Sequence, residues 1–222
     1  MEASKSRLQE EIARGEEVAK VLMGNGRPPD ITFGKDDERK LGRVNIADRE
    51  YEVEGIKSTW TVVKVGSGAT ILPILDVGGN RYIVMVYKPH PSVKSWSLEL
   101  PAGGVDANET TRQAAIRELG EETGYQPRNV KLFMRNMHFM PSRVEQREDV
   151  YIATNLVEGK RNLEYEEKPM KVCLLTEDQV RALLEQNKIQ DFRTVAVLSQ
   201  YFLREQYGVR IDDMKHLLRG NT

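Results

Sequence analysis

The first part of the chain has the apolar spacing of a helix. Between residues 4 and 23, apolar side chains stand among many charged ones: Leu8, Ile12, Val18, Ala19, Val21 and Leu22. This pattern predicts a moderately amphipathic helix, which ends at the Gly-Asn-Gly sequence of residues 24–26. The pattern does not choose between packing on the body of the protein and contact with a partner subunit. The polar, turn-rich residues 31–44 predict a linker or an exposed loop.

Strand patterns begin near residue 49. Strands are predicted for the runs that are apolar or rich in β-branched residues: 60–65, 69–75, 81–87, 130–137, 150–156 and 170–175. The sequence Asp-Val-Gly-Gly-Asn at 76–80 predicts a hairpin turn. Pro89 and Pro91 predict that the strand before them does not continue as a central strand.

Helical patterns return near the end of the chain. Thr176 with Gln179 predicts a helix start, and helices are predicted through Gln186, over 191–207 and near 212–218. The order of strands, one helix, further strands and terminal helices predicts an α+β protein, arranged as an α/β/α sandwich.

The helix predicted over residues 109–122 carries the candidate chemistry. The spacing i, i+3 and i+4 places Glu118, Glu121 and Glu122 on one face, where like charges repel and raise one another's pKa values. A hard divalent cation that prefers oxygen ligands relieves this repulsion. Because an isolated E-x-x-E-E sequence is most often only a solvated acidic face, the residues around it decide between the two interpretations.

The pattern extends on both sides of the three acids. The motif G-x5-E-x7-R-E-U-x-E-E-x-G-U, in which U is apolar, is met by Gly103, Glu109, Arg117, Glu118, Leu119, Glu121, Glu122 and Gly124. At any one starting position this set would coincide by chance on the order of 1 time in 10⁸ to 10⁹. The segment resembles the signature of the Nudix hydrolases, with Tyr125 at the last position in place of an aliphatic residue. Gly124 is expected to end the helix as a left-handed cap.

The resemblance implies a Nudix fold with a mixed β-sheet and the hydrolysis of a diphosphate. Mg²⁺, or Mn²⁺ in its place, would neutralise the phosphoryl oxygens and lower the pKa of a bound water. Glu118 and Glu122, one turn apart, are the best ligand pair, and Glu121 could bind a second ion or hold a metal-bound water. In the family a backbone carbonyl just before the first glycine also binds metal, and the matching residue is Ala102.

The other positions of the motif are assigned to its scaffold. An arginine among acids can orient them by bidentate pairing, so Arg117 with Glu109 is expected to fix the geometry of the acids. Gly103 and Gly124 complete this structural set.

Flanking segments resemble one group within the family, the ADP-ribose and nucleotide-sugar pyrophosphatases. Residues 98–103 resemble its E-(L/F)-P-A-G sequence, and residues 189–194 its I-x-D-x-(K/R)-T sequence. Lys88 stands where the group usually has Arg, so this position keeps a positive donor for phosphate but loses the planar, bidentate guanidinium. The alternative is that Lys88 is a solvated surface lysine. Pro141 lies where a proline marks this group.

The main departure from the pattern of this group concerns the acid that activates the attacking water. Many relatives carry G-x-x-x-E after the proline, but simple alignment places Gln146 at the acid, and an amide cannot be a general base. Glu145 is the first candidate to supply the carboxylate from a shifted loop, followed by Glu148. Glu166 and Glu167 lie in a later loop that other relatives use. Each of these acids could instead be an exposed loop residue.

Trp60 resembles a tryptophan that some dimeric ADP-ribose pyrophosphatases use to stack on adenine, often across the subunit boundary. Trp96 is the competing residue for stacking, and either tryptophan could belong to the core. Trp60, Lys88, Pro141 and Arg143 form the predicted substrate-binding set.

Composition excludes several other classes of protein. The chain has 222 residues and a formal net charge of −1, which gives no bulk electrostatic support to binding of nucleic acid or a membrane surface. No apolar run approaches the ~20 residues of a membrane span, and the charged N-terminus is unlike a secretion signal. Cys173 is the single cysteine, which excludes an internal disulfide and fits a reducing compartment, and it is expected to be buried. A cytoplasmic protein that acts on a small molecule is therefore expected.

Three regions are expected along the chain. Residues 1–46 form a helical extension and linker, residues 47–66 form N-terminal strands, and residues 67–222 form the Nudix hydrolase domain. A homodimer is expected because the N-terminal strands of similar enzymes commonly exchange between two subunits.

Two classes of function stay open. The first is metal-dependent hydrolysis of the pyrophosphate bond of ADP-ribose or a related nucleoside diphosphate sugar, or of another nucleoside diphosphate derivative. The second is a Nudix-fold module that senses such a nucleotide without turnover. The intact acids of the motif favour the first, whereas Gln146 favours the second.

Overall fold

The structure is a computed structural model that describes residues 2–24, 45–53, 56–163 and 168–207. In these residues the chain forms four helices: α1 (Glu2–Leu22), α2 (Thr111–Thr123), α3 (Glu177–Glu185) and α4 (Phe192–Gln206). It also forms eight strands: β1 (Asn45–Val53), β2 (Ile56–Val77), β3 (Asn80–His90), β4 (Ser95–Glu99), β5 (Ala102–Gly104), β6 (Tyr125–Met137), β7 (Val144–Glu158) and β8 (Lys171–Thr176). The linker predicted at 31–44, the helix predicted at 212–218, and both Glu166 and Glu167 lie outside the described residues.

One mixed sheet joins these strands around β2. This strand of 22 residues pairs antiparallel with β1, β3 and β5 and parallel with β7. At the two ends of the sheet, β6 pairs with β7, while β4 and β8 pair with β3. The short strand β5 therefore lies beside the middle of β2, where Ala102 is opposite Thr70.

The two faces of the sheet carry separate cores because side chains alternate along each strand. On one face Ile71 and Tyr151 pack with Leu119 of α2. On the other face Leu72 and Val150 pack in one cluster with the buried side chains of α4: Val197, Leu198, Tyr201 and Phe202. Since α2 and α4 cover opposite faces of a mixed sheet, the predicted α/β/α arrangement is confirmed.

α1 packs on the body of the protein, as the first of the two alternatives left open by its sequence predicts. It lies along β8, where Arg14 Nη1 donates to Val172 O at 3.5 Å. Val18 of α1 is buried in the core that includes Val180 of α3. Among the described residues, no helix is both long and apolar enough to cross a membrane.

The strand β3 extends beyond its predicted end. The hairpin predicted at 76–80 is confirmed by the pairing of Val77 with Asn80, but the strand that follows continues through Pro89 to His90. Pairing with β8 ends at Tyr87, so the last residues of β3 pair only with β4 in the described part of the chain. A proline is tolerated there because one edge of the strand needs no N–H donor.

Candidate functional site

The acidic helix α2 is fixed at both ends. It begins at Thr111 and not at Glu109, because Thr110 and Gln113 form a capping box in which Thr110 Oγ1 accepts from Gln113 N at 3.2 Å. At the other end Gly124 has a left-handed φ of 77°, so the predicted cap is confirmed.

Glu118 occupies space that a side chain at residue 103 would need. Its side chain is largely buried, and a Cβ built on Gly103 would lie 2.0 Å from Glu118 Oε1. Any larger residue at 103 would displace the carboxylate. The motif therefore needs glycine at this position for the close approach of β5 and α2.

Arg117 holds three acids at once. Its Nε and Nη2 each donate to one oxygen of Glu109 at 3.0 Å, which is the bidentate pairing expected for a scaffold. Its Nη1 donates to Glu118 at 2.8 Å and to Glu121 at 3.0 Å, and Nη2 also donates to Gly104 O at 2.9 Å. The hydrogen bonds that Arg117 donates to Glu109 and the other acids raise the pKa of Arg117, and Arg117 in turn lowers the pKa of Glu109.

Glu122 is the most buried of the three acids, with 1% of its surface exposed. Its oxygens accept from Lys88 Nζ at 3.0 Å and from Ala102 N at 3.2 Å. Burial raises the pKa of Glu122 to about 7, although Lys88 acts in the opposite direction. Burial would lower the pKa of Lys88, but Glu122 and Glu99 outweigh it and raise that pKa. A protonated lysine therefore lies between two carboxylates.

Glu99 is the second carboxylate beside Lys88. Its Oε2 lies 3.8 Å from Lys88 Nζ, and its Oε1 lies 2.6 Å from His90 Nε2. Burial acts to raise the pKa of Glu99, but His90 and Lys88 together lower it. Arg193, near the start of α4, is also close enough for its charge to interact with Glu99 and Lys88.

Glu148 is a buried acid on β7. Its Oε1 bonds to Thr70 Oγ1 and to Arg193 Nη1, the latter at 3.2 Å. In the sheet Glu148 is opposite Gly68 of β2, and Gly68 is opposite Gly104 of β5. The acid of β7 and the acids of α2 therefore approach the same short stretch of β2 from two sides.

The donors around α2 suit a hard divalent cation. The three glutamates of α2 and the carbonyl of Ala102 offer oxygen ligands only, which Mg²⁺ and Mn²⁺ prefer. Within the described ranges, no three His, Cys, Asp or Glu side chains are arranged as a preformed metal site. Arg117 and Lys88 instead neutralise the acids. The chemistry of the donor set fits such an ion as a further partner of the carboxylates.

Most of the predicted substrate-binding residues lie together on a different surface. Trp60 is 39% exposed, and its Nε1 donates to Ser142 O at 2.5 Å. The guanidinium of Arg143 lies 4.1 Å from the centre of the Trp60 ring, and Pro141 lines the same depression. Trp96 is half-buried and stacks on a tyrosine of β3, so Trp60 offers the more accessible ring.

The groove next to Trp60 has a volume of about 750 Å³. Six of its lining residues are Arg49, Lys64, Ser67, His138, Pro141 and Glu145. Ser67 O accepts from Val105 N at 3.0 Å, so the groove adjoins the chain that leaves β5. Glu145 is exposed and paired with Arg49, which lowers its pKa, and its other charged neighbours are Lys64 and Arg147. The structure does not bring Glu145 into the acid cluster of α2.

The sequence alone suggests no role for Glu99 or Arg193, although they lie in the segments 98–103 and 189–194 described above. The structure joins these two segments, because Leu100 N donates to Thr194 Oγ1 at 3.0 Å. Both segments resemble the same pyrophosphatase group, and that shared resemblance was the available signal.

Comparison with known proteins identifies the class. The NUDIX domain profile matches residues 65–198, so the chain belongs to the Nudix hydrolase family. It is 27% identical over 153 residues to the ADP-ribose pyrophosphatase of Bacillus subtilis, a match covering 68% of this chain and 80% of that protein. It is 34% identical over 73 residues to the ADP-sugar pyrophosphatase of Mus musculus, covering 32% of this chain and 34% of that protein. The predicted resemblance to the ADP-ribose group is thereby confirmed.

Other comparisons define the fold and the extent of similarity. A crystal structure of an ADP compounds hydrolase matches with a TM-score of 0.63 at 19% identity, covering 80% of this chain and 94% of that chain. The predicted Nudix fold is therefore confirmed. A Caenorhabditis elegans protein of the nudix hydrolase group is 45% identical over 69 residues, so the match spans 31% of each chain.

Proposed function

We propose that this protein is a divalent-metal-dependent hydrolase of the pyrophosphate bond of ADP-ribose or a related nucleoside diphosphate sugar. The products are a nucleoside monophosphate and a sugar phosphate. The observation that carries the proposal is the convergence on β5 of two glutamates from one helix face, Glu118 against Gly103 and Glu122 on Ala102 N, with Glu121 joined to Glu118 through Arg117. The relatives named as ADP-ribose and ADP-sugar pyrophosphatases support the substrate class.

The residues that would hold the ion are Glu118, Glu122 and the carbonyl of Ala102, with Glu121 as a further ligand or as the holder of a metal-bound water. When bound, Mg²⁺ or Mn²⁺ supplies positive charge to the phosphoryl oxygens and lowers the pKa of a coordinated water. Lys88 carries its charge 3.0 Å from Glu122, so it is the side chain that we assign to a phosphate oxygen.

Glu148 is better placed than Glu145 to accept the proton of the attacking water. It is buried beside the stretch of β2 that pairs with β5, and its Oε2 would lie 3.5 Å from a Cβ at Gly68. In this assignment Oε2 takes the proton as the water oxygen attacks phosphorus. The bridging P–O bond breaks, and the departing phosphate keeps its electron pair.

The groove beside Trp60 is assigned to the nucleoside part of the substrate. Its volume of about 750 Å³ lies in the range of about 300–1,000 Å³ typical of small-molecule sites. The Trp60 ring offers a flat surface for a base. The guanidinium of Arg143 lies over this ring, and Pro141 lines the same depression.

A homodimer remains part of the proposal. β1 pairs with β2 of the same chain, and in the described residues its other edge pairs with no strand. An open edge of this kind is a common site of strand pairing between subunits. Light scattering after size-exclusion chromatography measures the mass directly.

The deciding experiment is a substrate screen with Mg²⁺ that measures the nucleoside monophosphate and the sugar phosphate separately. With ADP-ribose, the wild-type protein should release AMP, and Glu122→Gln should abolish the release. Glu185→Gln, which removes an exposed acid of α3, is the matched control and should retain activity. Binding without turnover across the panel would favour the sensing module instead. If only another nucleoside diphosphate derivative is hydrolysed, the protein is a hydrolase but the proposed substrate is wrong.

A further inference from the structure

The C-terminal end of α2 needs positive partners. The last carbonyl groups of a helix have no N–H donor within it, and they form the negative end of the helix dipole. Glu118, Glu121 and Glu122 all lie toward this end, so their charges add to that of the dipole. Cations or hydrogen-bond donors from outside α2 would offset both effects.

Arg7 of α1 is one such partner. Its Nη2 donates to Thr123 O at 2.7 Å, and its Nη1 donates to Gly159 O at 3.0 Å. Its Nε donates to Glu11 at 3.0 Å. Glu11 is itself buried and accepts from Tyr125 OH at 2.5 Å. Because each nitrogen of the guanidinium is bound, Arg7 is fixed in one orientation against the end of α2.

The chain that follows β7 supplies the other partners. Arg161 Nε donates to Glu122 O at 2.5 Å, and Asn162 N donates to Glu121 O at 3.2 Å. Arg161 Nη2 also donates to Met170 O at 3.0 Å, which ties it to the residue before β8. The main-chain carbonyls of two of the three acids are thus held from outside the helix.

We infer that Arg7 and Arg161 are positioning residues for the metal-binding glutamates, and that α1 is part of the catalytic unit. This inference rests on the proposed function. The two arginines hold the main chain at Glu122 and Thr123, so a shift of this end would move the carboxylates away from β5. Arg7 lies outside residues 65–198, so the family motif does not include it.

The close packing of α1 supports this role. A Cβ on Gly15 would lie 2.2 Å from Leu174 O, so the helix sits directly on the main chain of β8. This contact fixes α1 on the sheet, and Arg7 projects from α1 to α2. α1 therefore holds Arg7 at the end of α2.

The test compares two arginines of α1 in the full-length chain. Arg7→Met removes the contact with α2, whereas Arg14→Met removes an arginine that bonds Val172 O of β8. Binding of Mn²⁺ alone is measured by calorimetry, together with the melting temperature and with kcat and KM for ADP-ribose. Arg7→Met should weaken Mn²⁺ binding about tenfold and lower kcat with little change in KM, since loss of residues that orient metal ligands typically costs about 10–100-fold.

The other variants sharpen the test. Arg14→Met should bind Mn²⁺ like the wild type, and Arg161→Met should weaken binding as Arg7→Met does. Arg7→Lys keeps the charge without the fork, so it should recover part of the affinity. If Arg7→Met does not fold, Arg7→Lys and Arg161→Lys provide the comparison.

Two outcomes separate failure of the inference from failure of the proposed function. An active wild type with equal Mn²⁺ affinity in the Arg7 and Arg14 variants would overturn the inference, even if both variants melt earlier. A wild type that neither binds Mn²⁺ nor hydrolyses any substrate of the panel would overturn the proposed function instead.

Discussion

The acid cluster of α2 and the groove beside Trp60 are built in opposite ways. In the cluster the charged groups share partners: Arg117 bonds three acids, and Glu122, which is almost fully buried, bonds Lys88 and Ala102. In the groove the contacts are exposed and pairwise, as in Glu145 with Arg49 and Arg143 with Trp60.

This difference matches the two tasks of the proposed enzyme. A group that takes part in chemistry must keep its position, and several buried partners hold it there. A surface that recognises a ligand can exchange exposed contacts for contacts with that ligand at small cost. Substitutions in the cluster should therefore affect turnover strongly, whereas those in the groove should affect affinity modestly.

After the loss of activity predicted for Glu122→Gln, the largest effect is expected for Glu118→Gln. The amide keeps the shape against Gly103 but loses the charge that would bind the ion, so activity should fall about 10³-fold, the upper end for loss of one electrostatic stabiliser. Steady-state hydrolysis of ADP-ribose with Mg²⁺ measures the effect. Glu16→Gln, which removes an exposed acid of α1, is the control. Activity within a few-fold of wild type in Glu118→Gln would remove this acid from the ion site.

The next largest effect is expected for Glu148→Gln. If Glu148 accepts the proton of the water, its loss should lower kcat about 10²-fold, the lower end for general bases. Gln can still bond Thr70 and Arg193 but removes the charge that faces Arg193, so the melting temperature should fall as well, and kcat is compared at a temperature where the variant is folded. Near-normal kcat would leave Glu148 as a structural partner of Arg193.

The burial of Glu122 predicts a pH-dependent stability. Its pKa is raised to about 7 in the folded protein, so the folded state binds the proton more tightly than the unfolded state does. The contribution is full below the unfolded pKa of about 4.3 and is lost as the pH rises through 7. Relative to Glu122→Gln, the wild type should lose about 2 to 3 kcal/mol of unfolding free energy between pH 5 and pH 8.

Urea unfolding in the presence of a chelator measures this difference, because bound metal would stabilise the charged carboxylate. Parallel stability profiles for the two proteins would show that Glu122 does not titrate in this window.

The same contrast explains what the sequence could predict. The common face of Glu118, Glu121 and Glu122 follows from helical spacing, which is local, and so does the cap at Gly124. The bounds of α1, α3 and α4 were predicted to within two residues. The strands predicted at 60–65 and 69–75 are instead one strand, β2, and β3 continues through Pro89.

Contacts between distant residues could not be predicted in this way. Lys88 meets Glu122 from 34 positions away, Glu148 meets Arg193 from 45, and Arg7 meets Thr123 from 116. These pairs depend on strand register and on where α1 packs. The spacing of residues within one helix or strand determines neither of these. The burial that raises the pKa of Glu122 has the same origin.

A smaller effect is expected for Trp60→Ala. Loss of a stacking ring typically costs about 1–3 kcal/mol, so KM for ADP-ribose should rise about tenfold while kcat changes little. Trp60→Phe keeps a flat ring and should recover most of the affinity. Unchanged KM in Trp60→Ala would place the base elsewhere, and the half-buried Trp96 would become the next residue to test.

The smallest effect is expected for Glu145→Gln. Glu145 is exposed, paired with Arg49 and placed in the groove, so kcat should stay within about threefold of wild type, far below the ~10²-fold minimum for loss of a general base. Measured beside Glu148→Gln under the same conditions, it distinguishes the two acids that the sequence could not rank firmly. A 10²-fold loss in Glu145→Gln with a near-normal Glu148→Gln would mean that the groove, and not the buried acid of β7, supplies the base. The contrast between the two regions would then be wrong, because an exposed pairwise contact would carry the chemistry.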